Sequence, residues 1–315
     1  MLESRLGQTL STPGAIFYGL LAYIIFQQQS DIFGLITIGF IFLVPFVLGV
    51  ITMYFRRGYC HSTWHKILTP WFSCIAFIAV LALMGWEAWI CLVMALPVLL
   101  VTSSAGGFLG CVLGRPKRES GSNHFILLSL LALPFVATPL ELQATRPEMV
   151  RTVETTVLIN ASPQRIWENI IRVRDIQPED QTFALSHLLG LPEPIGATLT
   201  EDRLGAVREG HFANGLLFRE TITEWQPLQK ISFAIDADTS QANQTYLKMI
   251  GSDYVDILGG TYLLEPLADG RIRLSFTSQH RLSTNFNFYS GLWSDFLIRD
   301  FQIYILRVIK ARVEA

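Results

Sequence analysis

Two side chains that could carry out chemistry, Glu220 and His280, lie in the C-terminal half of the sequence. Both fall in stretches whose apolar residues alternate, as in a strand with one buried face. Glu220 shares a face with Leu216, Phe218 and Ile222, so we expect it among apolar neighbours. A carboxyl group in an apolar cavity has a raised pKa and can act as acid, base or ligand anchor. A nearby imidazole can share a proton with it.

Two interpretations of this pair stay open. In the first, Glu220 and His280 converge in one cavity as the acid and base of a cyclase- or hydrolase-like enzyme. In the second, Glu220 pairs with an arginine or a backbone group, and His280 is a hydrogen-bonded histidine at the cavity rim. Glu209 and His211, on one face of an earlier strand, are a less favoured pair. No catalytic residue is assigned, and binding is favoured over catalysis.

A possible metal-binding spacing occurs in the N-terminal half, at Cys60, His61 and His65. A helix would place the two histidines on one face, as in some metal sites. The sequence offers no obvious third and fourth ligands nearby, and the segment falls in a loop at headgroup depth. We interpret these residues as polar groups at a membrane interface, and we predict neither a metal nor a cofactor.

The elements that must position Glu220 and His280 are clearest near the C-terminus. Two alternating strands meet at Asp269-Gly270, which favours the positive φ of a tight hairpin. A long apolar-rich helix follows at residues 289–313 and must cover the sheet. This order predicts a curved antiparallel sheet around the helix, with a ligand cavity between them.

The same alternation predicts which residues line that cavity. On the last strand the inner face turns polar at Ser278 and His280, and on the helix Asp295, Arg299 and Gln302 face away from the sheet. The helical residues expected to point towards the sheet are Trp293, Phe296, Leu297, Phe301 and Tyr304. The predicted ligand-binding residues are Phe218, Glu220, Ile222, Phe233, Leu274, Phe276, Ser278, His280, Trp293 and Phe296.

Composition divides the chain into two parts. Half of the 315 residues are hydrophobic and only 16% are charged, which is too apolar for an ordinary soluble protein. From Arg151 onward, 16 Lys and Arg face 20 Asp and Glu without a basic run, so nucleic acid is not an expected partner. All four cysteines lie in the apolar half, so the C-terminal half has no disulfide framework.

The apolar half contains five stretches close to the roughly 20 residues that span a bilayer as a helix. They cover residues 13–28, 32–55, 68–85, 89–113 and 124–140, and the first has the shortest strictly apolar core. We predict an α-helical membrane domain of about five spans at 1–140, a linker at 141–150 and a second domain at 151–315.

Lysine and arginine in the short loops predict the orientation. The loops at 29–31 and 86–88 contain neither residue. The basic residues after spans two and four are Arg56, Arg57, Lys66, Arg115, Lys117 and Arg118. This predicts an integral protein of the plasma (inner) membrane with a cytoplasmic N-terminus and an extracytoplasmic C-terminal domain. The placement of that domain does not depend on the first span.

The predicted spans lack ionisable side chains in their interiors, which coupled transporters usually keep for function. We therefore expect an anchor or a packing scaffold. Gly106, Gly110 and Gly114 recur every four residues and form a small-residue ridge on which a neighbouring helix can pack closely.

The second domain opens with a strand at 151–160 and a helix that begins at 162–163, and a second helix is expected at 178–189. The opening, TTVLINASPQRIWENI, resembles that of START-like domains of the SRPBCC superfamily. The next strands, which turn at 214–215 and 227–228, and the closing hairpin and helix resemble the same superfamily, in particular its polyketide cyclase/dehydrase and lipid-transport-like branch.

The resemblance covers roughly residues 152–314 and implies an α+β helix-grip fold, with a seven-stranded antiparallel sheet around the C-terminal helix. Relatives mostly bind apolar molecules such as lipids, sterols and polyketides, and a minority are enzymes, so fold does not decide function. Our first expectation is a membrane-anchored module that binds or transfers an apolar small molecule or lipid. The alternatives are a cyclase- or hydrolase-like enzyme, and a structural or regulatory membrane protein with a filled domain core.

Overall fold

The structure, a computed structural model, describes residues 2–30, 35–56, 60–114, 120–177, 180 and 182–315. The chain divides into two compact units, Met1–Thr145 and Arg146–Ala315. Only the middle of the expected linker at 141–150 is irregular, because a helix runs to Gln143 and a strand begins at Met149. The residues named above for orientation that lie outside the described chain are Asp31, Arg57, Arg115, Lys117 and Arg118.

The described part of the N-terminal unit is helical. Its elements are α1 (Leu2–Ser30), a π-helical segment (Gly39–Leu43), α2 (Val44–Tyr54), α3 (Thr63–Leu83), α4 (Trp89–Leu113) and α5 (Ser120–Gln143). Four stretches are long and apolar enough to cross a membrane, namely Thr9–Gln28, Thr63–Leu83, Trp89–Leu113 and His124–Gln143. This unit is therefore consistent with a membrane protein of about four spans.

The prediction of five spans is wrong at the second stretch, 32–55. Its apolar helix covers only Gly39–Tyr54, about 24 Å at 1.5 Å per residue, which is shorter than the roughly 30 Å hydrocarbon core. At the N-terminal end of this helix, the Glu141 carboxylate accepts hydrogen bonds from the Ile38 and Gly39 amides, at 2.8 and 3.2 Å. A carboxylate at that position satisfies two of the free amides of a helix N-terminus.

Glycines bring α2 and α4 into backbone contact. A Cβ added at Gly106 would lie 1.9 Å from the Phe46 carbonyl oxygen, and one at Gly49 would lie 1.9 Å from that of Ser103. A Cβ at Gly110 would meet the Val50 carbonyl at 2.5 Å. The small-residue ridge of α4 therefore packs against α2, as the spacing predicted.

A disulfide joins Cys60, just before α3, to Cys111 near the end of α4. The two cysteines are 51 residues apart, and nothing in their spacing identified them as partners. Because the Cys60 sulfur is bonded to Cys111, the spacing with His61 and His65 does not present a free thiolate to a metal. Cys74 and Cys91 are free.

The C-terminal unit is a curled seven-stranded antiparallel sheet with a long C-terminal helix, and its strand order is β1-β7-β6-β5-β4-β3-β2. Its strands are β1 (Met149–Ile159), β2 (Pro194–Leu199), β3 (Val207–Phe212), β4 (Leu217–Gln226), β5 (Lys230–Asp238), β6 (Val255–Pro266) and β7 (Ile272–Leu282). Its helices are α6 (Pro163–Ile171), α7 (Leu185–Leu188) and α8 (Asn287–Glu314), with two short 3-10 segments at Ala213–Gly215 and Thr245–Met249.

Local sequence explains several of these elements. Ser162 caps α6, since its side chain accepts from the Arg165 amide. Gly270 has a φ of +84° in the β6–β7 hairpin, and Asn214 has a φ of +62° before β4, as the turn residues predicted. The expected helix at 178–189 is wrong in extent. Pro178, Glu179 and Gln181 lie outside the described residues, and only α7 is α-helical in this stretch.

The core of this unit lies between the inner face of the sheet, α6 and the second half of α8. It contains Trp167 and Ile170 from α6, Leu274 from β7, and Tyr304 and Val308 from α8. This packing fills one end of the space between the sheet and α8. The first half of α8 meets the sheet less closely, and a cavity remains there.

Candidate functional site

The cavity of the C-terminal unit has a volume of about 240 Å³. Apolar side chains from β4 to β7, the first half of α8 and the segment 173–197 form most of its wall. The polar side chains in the wall are Ser186, His187, Arg208, His211, Glu220, Tyr262, Ser278, His280 and Ser294. The site is therefore an apolar chamber with a few polar groups.

Six of the ten predicted ligand-binding residues line this cavity, namely Phe218, Glu220, Phe233, Phe276, Ser278 and His280. Ile222 and Leu274 share the same strand faces, but they lie farther along β4 and β7, where the core is closed. Both are almost fully buried there, at 1% and 0% exposure.

Trp293 and Phe296 do not line the cavity. Their rings contact each other edge to face, with centroids 6.1 Å apart, and Phe296 is 38% exposed. The helical residues that do line the cavity are Ser294, Leu297, Ile298, Phe301 and Ile305. One residue is a rotation of about 100° on a helix, so the inward face of α8 is turned by about one residue from the predicted face.

Gln302 was expected to face away from the sheet, and this is also wrong. Gln302 is fully buried, and its amide nitrogen donates to the Val153 carbonyl at 3.0 Å and to the Ser278 hydroxyl at 2.9 Å. Its amide oxygen accepts from the Thr155 hydroxyl at 2.7 Å. This glutamine links β1, β7 and α8, and the Ser278 hydroxyl accepts one of its hydrogen bonds.

Glu220 forms a buried ion pair with Arg208. The two residues are directly opposite each other on β3 and β4, and their side chains are each 7% exposed. Burial raises the pKa of the Glu220 carboxyl, and the adjacent guanidinium opposes that increase. The interpretation in which Glu220 pairs with an arginine is the one that the structure shows.

Arg208 also meets the aromatic wall of the cavity. Its guanidinium carbon lies 5.6 Å from the centroid of the Phe233 ring, a distance typical of a cation–π contact. Its Nε has no hydrogen-bond partner among the described residues. A ligand in the cavity can therefore find a buried donor at this point.

His280 is fully buried, and its Nε2 lies 2.9 Å from the Ser294 hydroxyl and 3.7 Å from Asp295 Oδ1. Asp295 is held in turn by Arg151, whose Nε donates to Asp295 Oδ1 at 2.8 Å. Burial lowers the pKa of His280, Asp295 opposes this effect and Arg151 adds to it. The His280 imidazole is therefore neutral at pH 7.

Glu220 and His280 do not form a pair. They lie on β4 and β7, which are separated by β5 and β6 in the sheet, so about 14 Å of sheet lies between their strands at 4.7–4.9 Å per step. Each side chain has another partner, Arg208 for Glu220 and Ser294 for His280. The geometry required for proton exchange between the two is absent from this site.

Five polar residues of the cavity wall were missed from the sequence, namely Ser186, His187, Arg208, Tyr262 and Ser294. Alternation along β3 could have revealed Arg208, because it falls between Ala206 and Gly210 on the buried face. His187 offered no such signal, since it belongs to the short helix α7. Glu209 and His211 alternate with Arg208 and Gly210 on β3, with 3.9 Å between Glu209 Oε2 and His211 Nε2, and both side chains are more than 40% exposed. Of these two, only His211 lines the cavity.

Comparison with known proteins bears on the C-terminal half. No protein-family model matches the sequence, and no curated protein matches it. Three similar solved structures each cover 52% of this chain. They are a START superfamily protein from Mycobacterium smegmatis, a protein from Chromobacterium violaceum and a major latex-like protein from Panax ginseng.

The identities of these three are 12%, 20% and 11%, in the same order, and their TM-scores are 0.35, 0.30 and 0.33. Each is covered almost completely, over 97%, 98% and 98% of its own length. Of these three, the protein from Mycobacterium smegmatis is described as a START superfamily protein. The fusion to the N-terminal helices is not confirmed by relatives.

Proposed function

We propose that this chain is a membrane-anchored module that binds or transfers an apolar small molecule or lipid in the cavity of its C-terminal unit. The observation that carries this proposal is the cavity itself, an apolar chamber between the sheet and α8. Removing apolar surface from water stabilises a complex by about 25 cal/mol per Å². A wall of phenylalanine, leucine and isoleucine side chains therefore favours an apolar ligand, and a domain with a filled core would not leave this space.

The size of the cavity narrows the ligand class. Sites for drug-sized ligands have volumes of about 300–1,000 Å³, and this one has about 240 Å³. A single acyl chain or a similarly slender molecule suits such a space. A two-chain phospholipid would have to leave one chain outside.

The N-terminal helices supply the anchor in this proposal, and the lipid bilayer is the second partner. We keep the plasma (inner) membrane as the location and the extracytoplasmic side for the C-terminal unit. That side depends only on α3, α4 and α5, since the loop between α4 and α5 carries the basic residues. The side of the N-terminus depends on α2. A cytoplasmic N-terminus requires α2 to span the bilayer. If α2 does not span it, the N-terminus is extracytoplasmic.

Lipid extraction and native mass spectrometry of the purified full chain test the binding function. We expect a defined apolar molecule to copurify with the wild type. Leu297→Trp places a large ring in the cavity, because Leu297 lines it, and we expect the bound molecule to be lost. Leu292→Trp is the matched control, since Leu292 lies on the same helix and is 66% exposed.

Equal recovery of the molecule from both tryptophan variants contradicts binding in this cavity. A reporter fused after Ala315 tests the topology separately. We expect activity only from a reporter that works outside the cytoplasm. Activity of a reporter restricted to the cytoplasm reverses the proposed orientation.

A further inference from the structure

His280 and His187 both line the cavity, and each has one ring nitrogen without a partner among the described residues. These atoms are His280 Nδ1 and His187 Nε2, and each has almost no exposed area. Buried polar atoms in native proteins nearly always have a hydrogen-bond partner. Two such atoms in the wall of one apolar chamber indicate polar groups that a ligand brings with it.

The contacts of His280 indicate which partner it requires. The Ser294 hydroxyl can donate to the Gly291 carbonyl at 3.2 Å, which leaves its oxygen to accept from His280 Nε2 at 2.9 Å. The Asp295 carboxylate, 3.7 Å from the same nitrogen, also favours a proton there. His280 Nδ1 is then an acceptor, and its partner must be a donor such as a hydroxyl.

His187 marks a second point along the same helix. Its ring packs edge to face on Tyr304, with centroids 4.6 Å apart. The Tyr304 hydroxyl also has no partner among the described residues. Of these two residues, His187 is the one that lines the cavity, whereas Tyr304 belongs to the core behind it.

The separation of the two points follows from α8. His280 contacts Ser294 and His187 contacts Tyr304, and ten residues of helix separate these positions by about 15 Å. The helical residues between them that line the cavity are Leu297, Ile298 and Phe301. An apolar stretch of wall thus joins two polar points.

We infer that the ligand is a slender apolar molecule with a hydroxyl group at or near each end. The two hydroxyl groups are about 15 Å apart, and they form hydrogen bonds with His280 at one end and His187 at the other. The inference rests on the proposed function and specifies it further. It distinguishes a chain with an oxygen group at both ends from one with an oxygen group at a single end, which would leave one of the two histidine nitrogens without a partner.

The test uses the full chain in lipid nanodiscs and radiolabelled 1,12-dodecanediol, with empty nanodiscs as the reference for partitioning into lipid. Unlabelled 1-dodecanol and 1,12-dimethoxydodecane compete with it. The ether keeps the length and both oxygens but cannot donate. Relative to the diol, we expect roughly fivefold weaker competition from the alcohol and weaker competition still from the ether, because one hydrogen bond changes affinity by about that factor.

Variants assign the two ends. His280→Leu and His187→Phe should each weaken diol binding by roughly fivefold and leave alcohol binding nearly unchanged. The phenyl ring at 187 keeps the edge-to-face contact with Tyr304. Gln279→Leu is the matched control, because Gln279 is exposed on the opposite face of the same strand, and it should retain wild-type preference.

Three results overturn the inference. Equal competition by the diol, the alcohol and the ether in the wild type shows that the protein forms no hydrogen bonds specific to the hydroxyl groups. Saturable binding would still support the proposed function. A preference for the diol that persists in both histidine variants shows that groups other than His187 and His280 bind its hydroxyls. Absence of saturable binding for every probe defeats the inference and the proposed function together. The wild-type ranking does not depend on how well any variant folds.

Discussion

The two units of this chain use apolar residues in opposite ways. In the N-terminal unit, α2 and α4 approach until backbone meets backbone at Gly49 and Gly106. In the C-terminal unit, α8 and the curled sheet stand apart by the length of large side chains and leave about 240 Å³ between them. Glycine at a helix crossing closes the space, whereas phenylalanine and leucine on a curved sheet surround it.

Polar groups follow the same division. In the N-terminal unit, the Thr52 hydroxyl donates to the Leu48 carbonyl at 2.7 Å and can accept from the Ser73 hydroxyl, 2.9 Å away, so it is satisfied within the unit. In the C-terminal unit, Arg208, His187 and His280 each keep a buried nitrogen without a partner among the described residues. Thr138 Oγ1 of the N-terminal unit is also buried without such a partner. The difference between the units is therefore one of place, since Arg208, His187 and His280 all line one cavity.

The buried ion pair gives the largest expected effect. Arg208→Met leaves the Glu220 carboxylate buried without its partner, which should destabilise the C-terminal unit by about 3–5 kcal/mol. The double variant Arg208→Met/Glu220→Leu should recover most of this loss, because an apolar pair avoids burying charge. Hydrogen–deuterium exchange of β3 and β4 in the full chain measures both effects.

Arg271→Met is the matched control for that experiment. It breaks an ion pair with Asp269 whose side chains are each 48% exposed, and exposed pairs contribute about 0–1 kcal/mol. A loss at Arg208 no greater than the loss at Arg271 contradicts the account of a buried, coupled pair.

The close contact of α2 with α4 gives the next largest expected effect on stability. A methyl group at Gly106 meets the Phe46 carbonyl, which cannot move without its helix, so Gly106→Ala should destabilise the N-terminal unit by up to about 3 kcal/mol. Gly14→Ala is the control, since nothing lies within 4 Å of its added Cβ. Thermal unfolding in detergent compares the two, and equal midpoints would show that the crossing is looser than described.

The pH dependence of His280 gives a smaller effect. Burial lowers its folded pKa below the ordinary value of about 6.5, so the unfolded state takes up a proton first as the pH falls. The stability that the neutral imidazole contributes is present above pH about 6.5 and is lost as the pH falls from there to the folded pKa. The unfolding midpoint should fall less steeply with acid in His280→Leu than in the wild type.

His187 also has a pKa lowered by burial, so it contributes to the same acid loss with the same sign. The double variant His187→Phe/His280→Leu should flatten the profile further. A wild-type slope in the double variant shows that neither histidine is held neutral by the fold.

The redox state of Cys60 and Cys111 gives the sharpest test of orientation. The proposed topology places both at the cytoplasmic end of the bundle, where thiols are kept reduced. We therefore expect both to react with a membrane-permeant maleimide in intact cells and to join by a disulfide only after extraction. Protection of both in cells until a reductant is added puts this end in an oxidising compartment and moves the C-terminal unit to the cytoplasm.

Local rules predicted the elements whose signals lie within a few residues. Asp269-Gly270 indicated its hairpin, Ser162-Pro163 indicated the start of α6, and alternation on β7 gave the inward face that carries Ser278 and His280. Hydropathy did not predict that the apolar helix of the second stretch covers only Gly39–Tyr54. The Gly39 amide at its start donates to the Glu141 carboxylate, which lies 102 residues away in the sequence.

The sequence by itself determined the period of each element, and so which residues share a face. Phe276, Ser278 and His280 had to lie together, because residues two apart on a strand project to one side. Glycines four apart had to form a ridge on one side of α4.

Only the tertiary structure decided which faces meet. The rotation of α8 brought Ser294 and Leu297 to the cavity in place of Trp293 and Phe296, because packing against the whole sheet, and not the local pattern, sets the angle of a helix about its axis. The register of β3 with β4 placed Arg208 opposite Glu220, and the strand order placed β5 and β6 between Glu220 and His280. Contacts between residues far apart in sequence thereby gave Glu220 and His280 separate partners, Arg208 and Ser294, and the candidate catalytic pair does not form.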